Sequence, residues 1–295
     1  MKQLAIIGPT ASGKSNLAIK IAQKIDAYIL SIDSLSIYKD INIVSAKPSQ
    51  KELDTIRHFG IDMLYPHEYF SAEIFITLYK KVVQICQNDN KNLIIVGGTS
   101  FYLKSLIQGL SPLPCIDAKV KSHVALQMRD LEKCYKFLLN RDSAYMQKID
   151  INDSYRIEKA LLIFEASGLT PSKWFENNPP LCMSEEIPIY NISVTRDVLR
   201  ERIAKRTKKM LEDGLIDEVC SLEKNYSRLP NAMGSIGISE VLEYLDGNVS
   251  KEEMLELISI HTSQLAKRQQ TFNKTQFNNL ISAPLEELED IICFH

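Results

Sequence analysis

An eight-residue segment near the start of the chain carries the residue types that bind phosphate. It fits the pattern G-x-x-x-x-G-K-[S/T] with Gly8, Pro9, Thr10, Ala11, Ser12, Gly13, Lys14 and Ser15. The two glycines let the backbone turn so that its N–H groups converge on an anion. Lys14 supplies a positive charge for a terminal phosphate, and the Ser15 hydroxyl is a suitable Mg²⁺ ligand. The segment therefore predicts binding of a diphosphate or triphosphate group.

The elements on either side place this segment between a strand and a helix. Residues 4–7 form a short apolar run typical of a buried strand, and residues 16–25 carry apolar side chains at helical spacing. Further apolar runs at 27–32, 92–96 and 187–194 alternate with helical patterns. This alternation predicts an α/β fold with a P-loop NTPase-like parallel sheet flanked by helices. Ligands of such sheets bind at the carboxyl ends of the strands.

Two of the predicted strands end in residues that suit chemistry. Asp33 follows the second strand, where its carboxylate can accept a proton from a nucleophile or simply cap the next turn. Gly97, Gly98 and Thr99 follow the third strand. The glycines permit close approach of a ligand, and the Thr99 hydroxyl can donate to a charged leaving oxygen, although an ordinary turn explains the same residues. We expect both strand ends to face the phosphate loop across one crevice.

The C-terminal part of the chain contains two basic segments. In the first, one helical stripe is apolar and consists of Val198, Leu199, Ile203, Met210 and Leu211. Arg202 and Arg206 lie four residues apart at the edge of this stripe, so they can bind one anion together. The other cations there suit a solvated face. The second segment, 264–270, mixes cations with amides, as contacts to nucleic-acid phosphates and bases require, although the pattern by itself is not specific.

Proline-rich breaks separate a helical segment from the rest of the chain. We therefore predict a helical insertion domain at 112–183 within a catalytic core made of 1–111 and 184–295. Beyond residue 194, the pattern predicts only helices.

Composition narrows the classes of protein. The chain has 295 residues, a net charge of −2, 45% hydrophobic residues and 24% charged residues, so any nucleic-acid site must be a local patch. Neither a signal peptide nor a membrane span is recognisable. The six cysteines form no CxxC pair and predict reduced thiols in the cytoplasm. No segment indicates dimerisation, so we expect a monomer.

Several short segments occur in a fixed order that no single motif explains. They are residues 8–15, Ser31-Ile32-Asp33-Ser34, Ile37-Tyr38-Lys39, Ala46-Lys47-Pro48, Val96-Gly97-Gly98-Thr99, Leu110-Ser111-Pro112-Leu113-Pro114, Asn152-Asp153 with Arg156, and residues 264–269. Together, across about residues 4–272, they resemble the tRNA dimethylallyltransferases of the IPP transferase family. The phosphate loop alone is suggestive, whereas the ordered set is specific.

The resemblance implies a reaction and its partners. The dimethylallyl group of dimethylallyl diphosphate would be transferred to N6 of adenosine 37, just 3′ of the anticodon, in tRNAs that read codons beginning with U. The phosphate loop would then hold the diphosphate leaving group and Mg²⁺, with Ser15 as the metal ligand, rather than ATP. The tRNA partner would be the anticodon stem-loop, whose unpaired adenine is cheaper to unstack than one in a duplex.

The resemblance also implies roles for individual residues. Asp33 would take the N6 proton, and Thr99 would assist at the bridging oxygen. The diphosphate would be bound by residues 8–15 together with Arg202 and Arg206. Contacts to tRNA are implied for Asp33, Ser34, Leu35, Ser36, Lys121, Arg156, Lys159, Gln264, Lys267 and Arg268.

The chain departs from the family pattern at four places. They are Val44-Ser45 in place of Gly-Thr, Gly237-Ile238-Ser239-Glu240 in place of Gly-Tyr-[Arg/Lys]-[Gln/Glu], Ser263 in place of Arg, and Phe272 in place of Trp. These departures concern the C-terminal tRNA contacts more than the phosphate loop, Asp33 or Thr99.

Three alternatives remain open on the sequence. An ATP-dependent small-molecule kinase would use the phosphate loop, with Asp33 deprotonating a hydroxyl. A prenyltransferase acting on free adenine nucleotides would need neither the insertion nor the basic C-terminal helices. A non-catalytic RNA-binding module would leave Asp33 without a role.

Overall fold

The computed structural model of the chain describes residues 1–180 and 187–293. The chain divides into two compact units, one made of Met1–Ile107 with Ser184–His295 and the other of Gln108–Met183. The second unit thus begins slightly before the predicted boundary at 112.

The first unit contains a six-stranded sheet in which all strands are parallel, in the order β3-β2-β4-β1-β5-β6. The strands are β1 (Gln3–Ile7), β2 (Ala27–Ser31), β3 (His58–Phe59), β4 (Asn92–Gly97), β5 (Ile189–Ile192) and β6 (Leu280–Ala283). The predicted parallel α/β sheet is confirmed. Ile7, the last residue of β1, pairs with Gly97 of β4 and Asn191 of β5, so the phosphate loop leaves the sheet between these two strands.

The helices account for most of the remaining chain. In order they are α1 (Lys14–Ile25), α2 (Gln50–Thr55), α3 (Ala72–Asn88), α4 (Ser100–Gln108), α5 (Ala118–Gln127), α6 (Leu131–Leu139), α7 (Ser143–Met146), α8 (Ser154–Ser167), α9 (Pro171–Asn177), α10 (Arg196–Glu212), α11 (Leu215–Tyr226), α12 (Ile238–Leu245), α13 (Lys251–Gln276) and α14 (Leu285–Cys293), with a 3₁₀ turn at Asn231–Gly234. Helices α5 to α9 belong to the second unit.

Both faces of the sheet are covered, which explains the unbroken apolar runs of its central strands. In β4, Leu93 and Ile95 belong to the core that includes Phe75 of α3, whereas Ile94 and Val96 belong to the core packed against α1. The strand alternates between two buried faces because successive side chains point in opposite directions.

The prediction that the chain beyond residue 194 is only helical is wrong. Residues Leu280–Ala283 form β6, which pairs with β5 at the edge of the sheet. Ile281 and Ser282 are exposed on this edge strand, so the segment lacks the apolar alternation that indicates a strand. The two-residue strand β3 was also not predicted. Val198 is 39% exposed and does not belong to the buried stripe of α10.

The second unit has a small core of its own, in which α8 packs against α5 and α6. The Ser111 hydroxyl donates to the Asn178 carbonyl at 2.5 Å, which ties the two ends of the unit together. Among its described residues, the unit contains helices and no strand, as predicted.

Candidate active site

The phosphate loop joins β1 to α1 with a backbone that depends on its glycines. Gly13 has φ of 92° and caps α1 in the left-handed conformation, and Ala11 also has a positive φ of 60°. A Cβ on Gly8 would lie 3.2 Å from Ile192 Cβ and from Ser12 Oγ. The Ser12 hydroxyl is buried without a hydrogen-bond partner among the described residues, which leaves a polar atom available inside the loop.

Lys14 lies at the first position of α1 with its ammonium enclosed by the loop. Its Nζ donates to the Pro9 carbonyl at 2.7 Å. Burial lowers the Lys14 pKa to about 8, an effect that the Asp33 carboxylate opposes and the Arg206 guanidinium reinforces. A bound anion would replace the lost hydration, so the position suits a ligand phosphate.

A glutamine of α13, far along the chain, forms hydrogen bonds to the phosphate loop. Gln269 Oε1 accepts from the Thr10 backbone N–H at 2.8 Å, and its Nε2 donates to the Gly98 carbonyl at 3.1 Å. One side chain therefore joins the phosphate loop to the end of β4. The sequence pointed to the 264–270 segment but missed this residue as a site residue. Its helical position could have indicated it. Gln269 lies four residues after Leu265, so both side chains lie on the same face of α13, and both line the first of the cavities described below.

The two predicted arginines of α10 both reach the loop. Arg206 Nη1 donates to Thr10 Oγ1 at 3.3 Å, and Arg202 Nη1 donates to the Ser12 carbonyl at 3.4 Å. Burial lowers the Arg206 pKa, while the Asp33 carboxylate opposes this change. A guanidinium remains charged under such conditions, so the loop faces two fixed cations.

Asp33 forms a turn at the end of β2 and keeps one carboxylate oxygen available. Its Oδ1 accepts from the backbone N–H groups of Leu35 at 2.9 Å and Ser36 at 3.2 Å. Asp33 therefore caps this turn through Oδ1 alone. Among the described residues, Oδ2 receives no hydrogen bond and is available for other chemistry. Ser34 is exposed beside it, whereas Ser36 is buried.

Thr99 connects the ends of β2 and β4. Its Oγ1 accepts from the Ser34 backbone N–H at 3.2 Å, which leaves the hydroxyl proton free to donate elsewhere. Gly98 lines the cavities at the ends of the strands, but Thr99 itself does not line them.

Two cavities, of about 450 and 470 Å³, meet at the carboxyl ends of the strands. Both are lined by Thr10, Lys14, Asp33, Ser45, Gly98 and Arg206. The first extends over apolar side chains that include Tyr38, Tyr102 and Met210. The second contains Ser15 and Arg202. The expected crevice between the strand ends and the phosphate loop is confirmed.

The Ser15 hydroxyl lines the second cavity, where it would hold a magnesium ion bound mainly through substrate phosphates. Among the described residues, no cluster of three or more His, Cys, Asp or Glu residues could hold a metal without other ligands. Mg²⁺ commonly binds through one or two protein oxygens, with phosphate oxygens and water completing its shell.

Three further residues predicted to bind tRNA lie on α13. Gln264, Lys267 and Arg268 are exposed on the outer face of α13, where Gln264 and Lys267 share a groove with Arg196 and Arg200 of α10. They do not line either cavity at Asp33.

In the second unit, the predicted contacts lie on two helices that pack together. Lys121 is exposed on α5, and Arg156 is exposed on α8, where it forms an ion pair with Asp153 at 2.6 Å. Lys159 lies on the next turn of α8, over the ring of Tyr155 at 5.4 Å.

No helix among the described residues combines the length and the apolar character needed to span a membrane. The five described cysteines are free thiols, and Cys182 lies outside the described residues.

The fold and these cavities define a P-loop-like α/β protein with a polar site at the carboxyl ends of its strands. A sequence model of the IPP transferase family matches residues 36–276. The chain belongs to this family.

Similar proteins match along nearly the whole chain. A tRNA dimethylallyltransferase of Sulfurimonas denitrificans is 67% identical, covering 99% of this chain and 98% of that protein. One from Sulfurovum sp. is 54% identical, covering 99% and 97%.

Solved structures share the fold. The tRNA delta(2)-isopentenylpyrophosphate transferase of Staphylococcus epidermidis is 30% identical with a TM-score of 0.71, covering 100% of this chain and 98% of that one. A eukaryotic dimethylallyltransferase, described as acting on tRNA, is 25% identical with a TM-score of 0.84, covering 98% and 76%.

Proposed function

We propose that this protein transfers the dimethylallyl group from dimethylallyl diphosphate to N6 of adenosine 37 in tRNAs that read codons beginning with U. Full-length similarity to proteins named tRNA dimethylallyltransferase supports the reaction class. The structural observation that carries the proposal is the position of Asp33 and the phosphate-loop Lys14 in the same two cavities. A base and an anion site that line the same cavities suit an alkyl transfer that releases diphosphate.

The leaving group would be bound by the phosphate loop. Lys14, Ser15, Arg202 and Arg206 all line the second cavity. Negative charge develops on the diphosphate as the bond from C1 of the prenyl group to oxygen breaks, and preorganised cations stabilise that charge. Mg²⁺, bound with the help of Ser15, would neutralise part of the same charge.

The nucleophile is the exocyclic N6 amine, which attacks C1 of the prenyl group. The amine must lose a proton once the new C–N bond forms, and Asp33 Oδ2 is the available acceptor. Its partner oxygen Oδ1 is fixed by two backbone N–H groups, which orients the carboxylate. Thr99, which follows the cavity-lining Gly98 without lining either cavity itself, would act on the bridging oxygen, and Ser34, Leu35 and Ser36 would contact the extruded adenosine.

The tRNA would also contact residues outside the cavities. We propose that Lys121, Arg156 and Lys159 bind the anticodon arm and that Gln264, Lys267 and Arg268 bind the RNA backbone. Their cationic and amide groups match phosphate and sugar contacts, which position an RNA without reading its sequence. We further propose that the protein acts as a monomer in the cytoplasm.

The test is incubation of the purified protein with Mg²⁺, dimethylallyl diphosphate and an unmodified anticodon stem-loop, followed by mass analysis of the RNA. The proposal predicts the gain of one five-carbon unit on the loop adenosine. A stem-loop with guanosine at that position is the matched control and should remain unmodified.

Parallel assays with AMP, ATP or labelled ATP separate the three alternatives. Prenylation of AMP or ATP without modification of the RNA would instead indicate a free-nucleotide prenyltransferase. Phosphoryl transfer from labelled ATP to a metabolite would indicate a kinase. RNA binding without any transfer would indicate a non-catalytic module.

A further inference from the structure

Glu218, in the first turn of α11, binds the backbone of a loop of the catalytic unit through its carboxylate. Its carboxylate accepts hydrogen bonds from the consecutive N–H groups of Asn42, Ile43 and Val44, at distances from 2.8 to 3.1 Å. Both carboxylate oxygens take part. Hydrogen bonds to an ionised acceptor are stronger than neutral ones, so this carboxylate fixes the backbone of the 41–48 loop.

The loop has a backbone conformation that needs such support. Ala46 has φ of 47°, in the left-handed region that a residue with a side chain rarely adopts. Within the loop, the nearly buried Lys47 donates from Nζ to the Tyr38 carbonyl at 2.7 Å and to Asn42 Oδ1 at 2.9 Å. Glu218 and Lys47 therefore both hold the loop by hydrogen bonds.

The loop forms a wall of both cavities at the candidate active site. Val44 and Ser45 line the first cavity, and Ser45, Ala46 and Lys47 line the second. Ser45 is among the few residues common to both, together with Asp33 and Lys14. Glu218 itself lines neither cavity, so any effect on substrates must pass through the loop.

We propose that Glu218 is a positioning residue for the transfer reaction, acting by fixing the 41–48 loop as the shared wall of the two cavities. The proposal rests on the proposed function, since it concerns the substrates of that reaction. Removing the carboxylate lets the strained turn at Ala46 relax and displaces Ser45 relative to Asp33 and the phosphate loop. Because small displacements of a reacting group are costly, both substrate binding and turnover suffer.

The test compares Glu218→Gln with Asp217→Asn in steady-state kinetics of dimethylallyl transfer to the stem-loop. Asp217 lies in the same helical turn, carries the same charge and is exposed. Glu218→Gln should lower kcat/KM by about tenfold to a hundredfold and raise KM for dimethylallyl diphosphate. Asp217→Asn should stay within about twofold of the unmodified enzyme, since surface substitutions have small effects.

A second variant separates positioning from general stability. Glycine adopts a positive φ without strain, so adding Ala46→Gly to Glu218→Gln should recover part of the lost kcat/KM. Unchanged kcat and KM in Glu218→Gln would overturn the proposal. A lower melting temperature with wild-type KM in the folded fraction, or no recovery with Ala46→Gly, would overturn it as well. Failure of the unmodified enzyme to prenylate the stem-loop would instead refute the proposed function.

Discussion

Gln269 Oε1 accepts a hydrogen bond from the Thr10 backbone N–H at 2.8 Å, although the two residues are 259 positions apart in the chain. The same side chain donates to the Gly98 carbonyl. Helix α13, near the C-terminal end of the chain, therefore helps to fix the geometry of the N-terminal phosphate loop. This contact makes the catalytic unit depend on both of its chain segments.

Replacing Gln269 by alanine should reduce transfer without unfolding the protein. Loss of the two hydrogen bonds frees the loop at Thr10 and the end of β4 at Gly98, and we expect kcat/KM to fall by about tenfold to a hundredfold. Steady-state prenylation of the stem-loop measures the change. Gln87→Ala, on the exposed face of α3, is the control and should retain full activity. Full activity in Gln269→Ala would show that the two hydrogen bonds of Gln269 are dispensable for transfer.

Replacing Gly98 by alanine should act through the same contact. A Cβ at this position would lie 2.4 Å from Gln269 Nε2, so the glutamine side chain must move. We therefore expect Gly98→Ala to lower kcat/KM, and the double variant with Gln269→Ala to be little worse than either single variant. Additive losses, measured in a double-mutant cycle, would contradict a shared mechanism.

Lys14 should destabilise the ligand-free protein at neutral pH. Burial lowers its pKa in the folded state to about 8, whereas the unfolded value is 10.5, so between these values the unfolded chain binds more protons. The resulting loss in the free energy of unfolding, on the order of 1 to 3 kcal/mol, has its full size below pH 8 and decreases as the pH rises toward 10.5.

Lys14→Met should accordingly raise the melting temperature at pH 7 by a few degrees while abolishing transfer. The difference in melting temperature between variant and wild type should shrink as the pH is raised from 8 to 10, and thermal unfolding at several pH values measures it. A difference that stays constant over this range would mean that the Lys14 pKa is not lowered.

The cations of the second unit should contribute to RNA binding through phosphate contacts. Lys121→Ala and Arg156→Ala should each weaken stem-loop binding and reduce the slope of log Kd against log salt concentration by about 0.7 to 0.9. The exposed ion pair of Arg156 with Asp153 is weak enough to be replaced by a phosphate contact. Lys173→Ala removes an exposed lysine paired with Glu176 in the same unit and is the control. An unchanged slope in both test variants would show that the RNA phosphates do not contact Lys121 or Arg156.

Local motifs allowed the sequence to predict the phosphate loop and the position of Asp33. The glycines, Lys14 and the strand before them are adjacent in the chain, and parallel strands bring their carboxyl ends to one edge of the sheet. The crevice between Asp33, Gly98 and the loop follows from these facts alone. The additional capping bonds of Asp33 were an alternative on the sequence and are present in the structure.

Contacts between distant segments were not predictable in the same way. Gln269 and Glu218 act on backbone groups about 170 to 260 positions away, and backbone groups have no signature in the sequence. Strand β6 was missed because Ile281 and Ser282 are exposed at the edge of the sheet. Val198 was placed on the wrong face of α10 because an apolar residue at approximate helical spacing need not be buried.

The most direct test of Asp33 as the base of the transfer reaction compares wild-type protein with Asp33→Asn in the prenylation of an anticodon stem-loop. Asparagine can keep the hydrogen bonds that Asp33 Oδ1 accepts from Leu35 and Ser36, but it cannot take a proton in place of Oδ2. We expect one five-carbon unit on the loop adenosine with the wild type. For the variant we expect a rate lower by a factor of about 10² to 10⁴, with binding of the stem-loop and of inorganic pyrophosphate retained. Equal rates for the two proteins would contradict Asp33 as the base, and no transfer by the wild type would contradict the function itself.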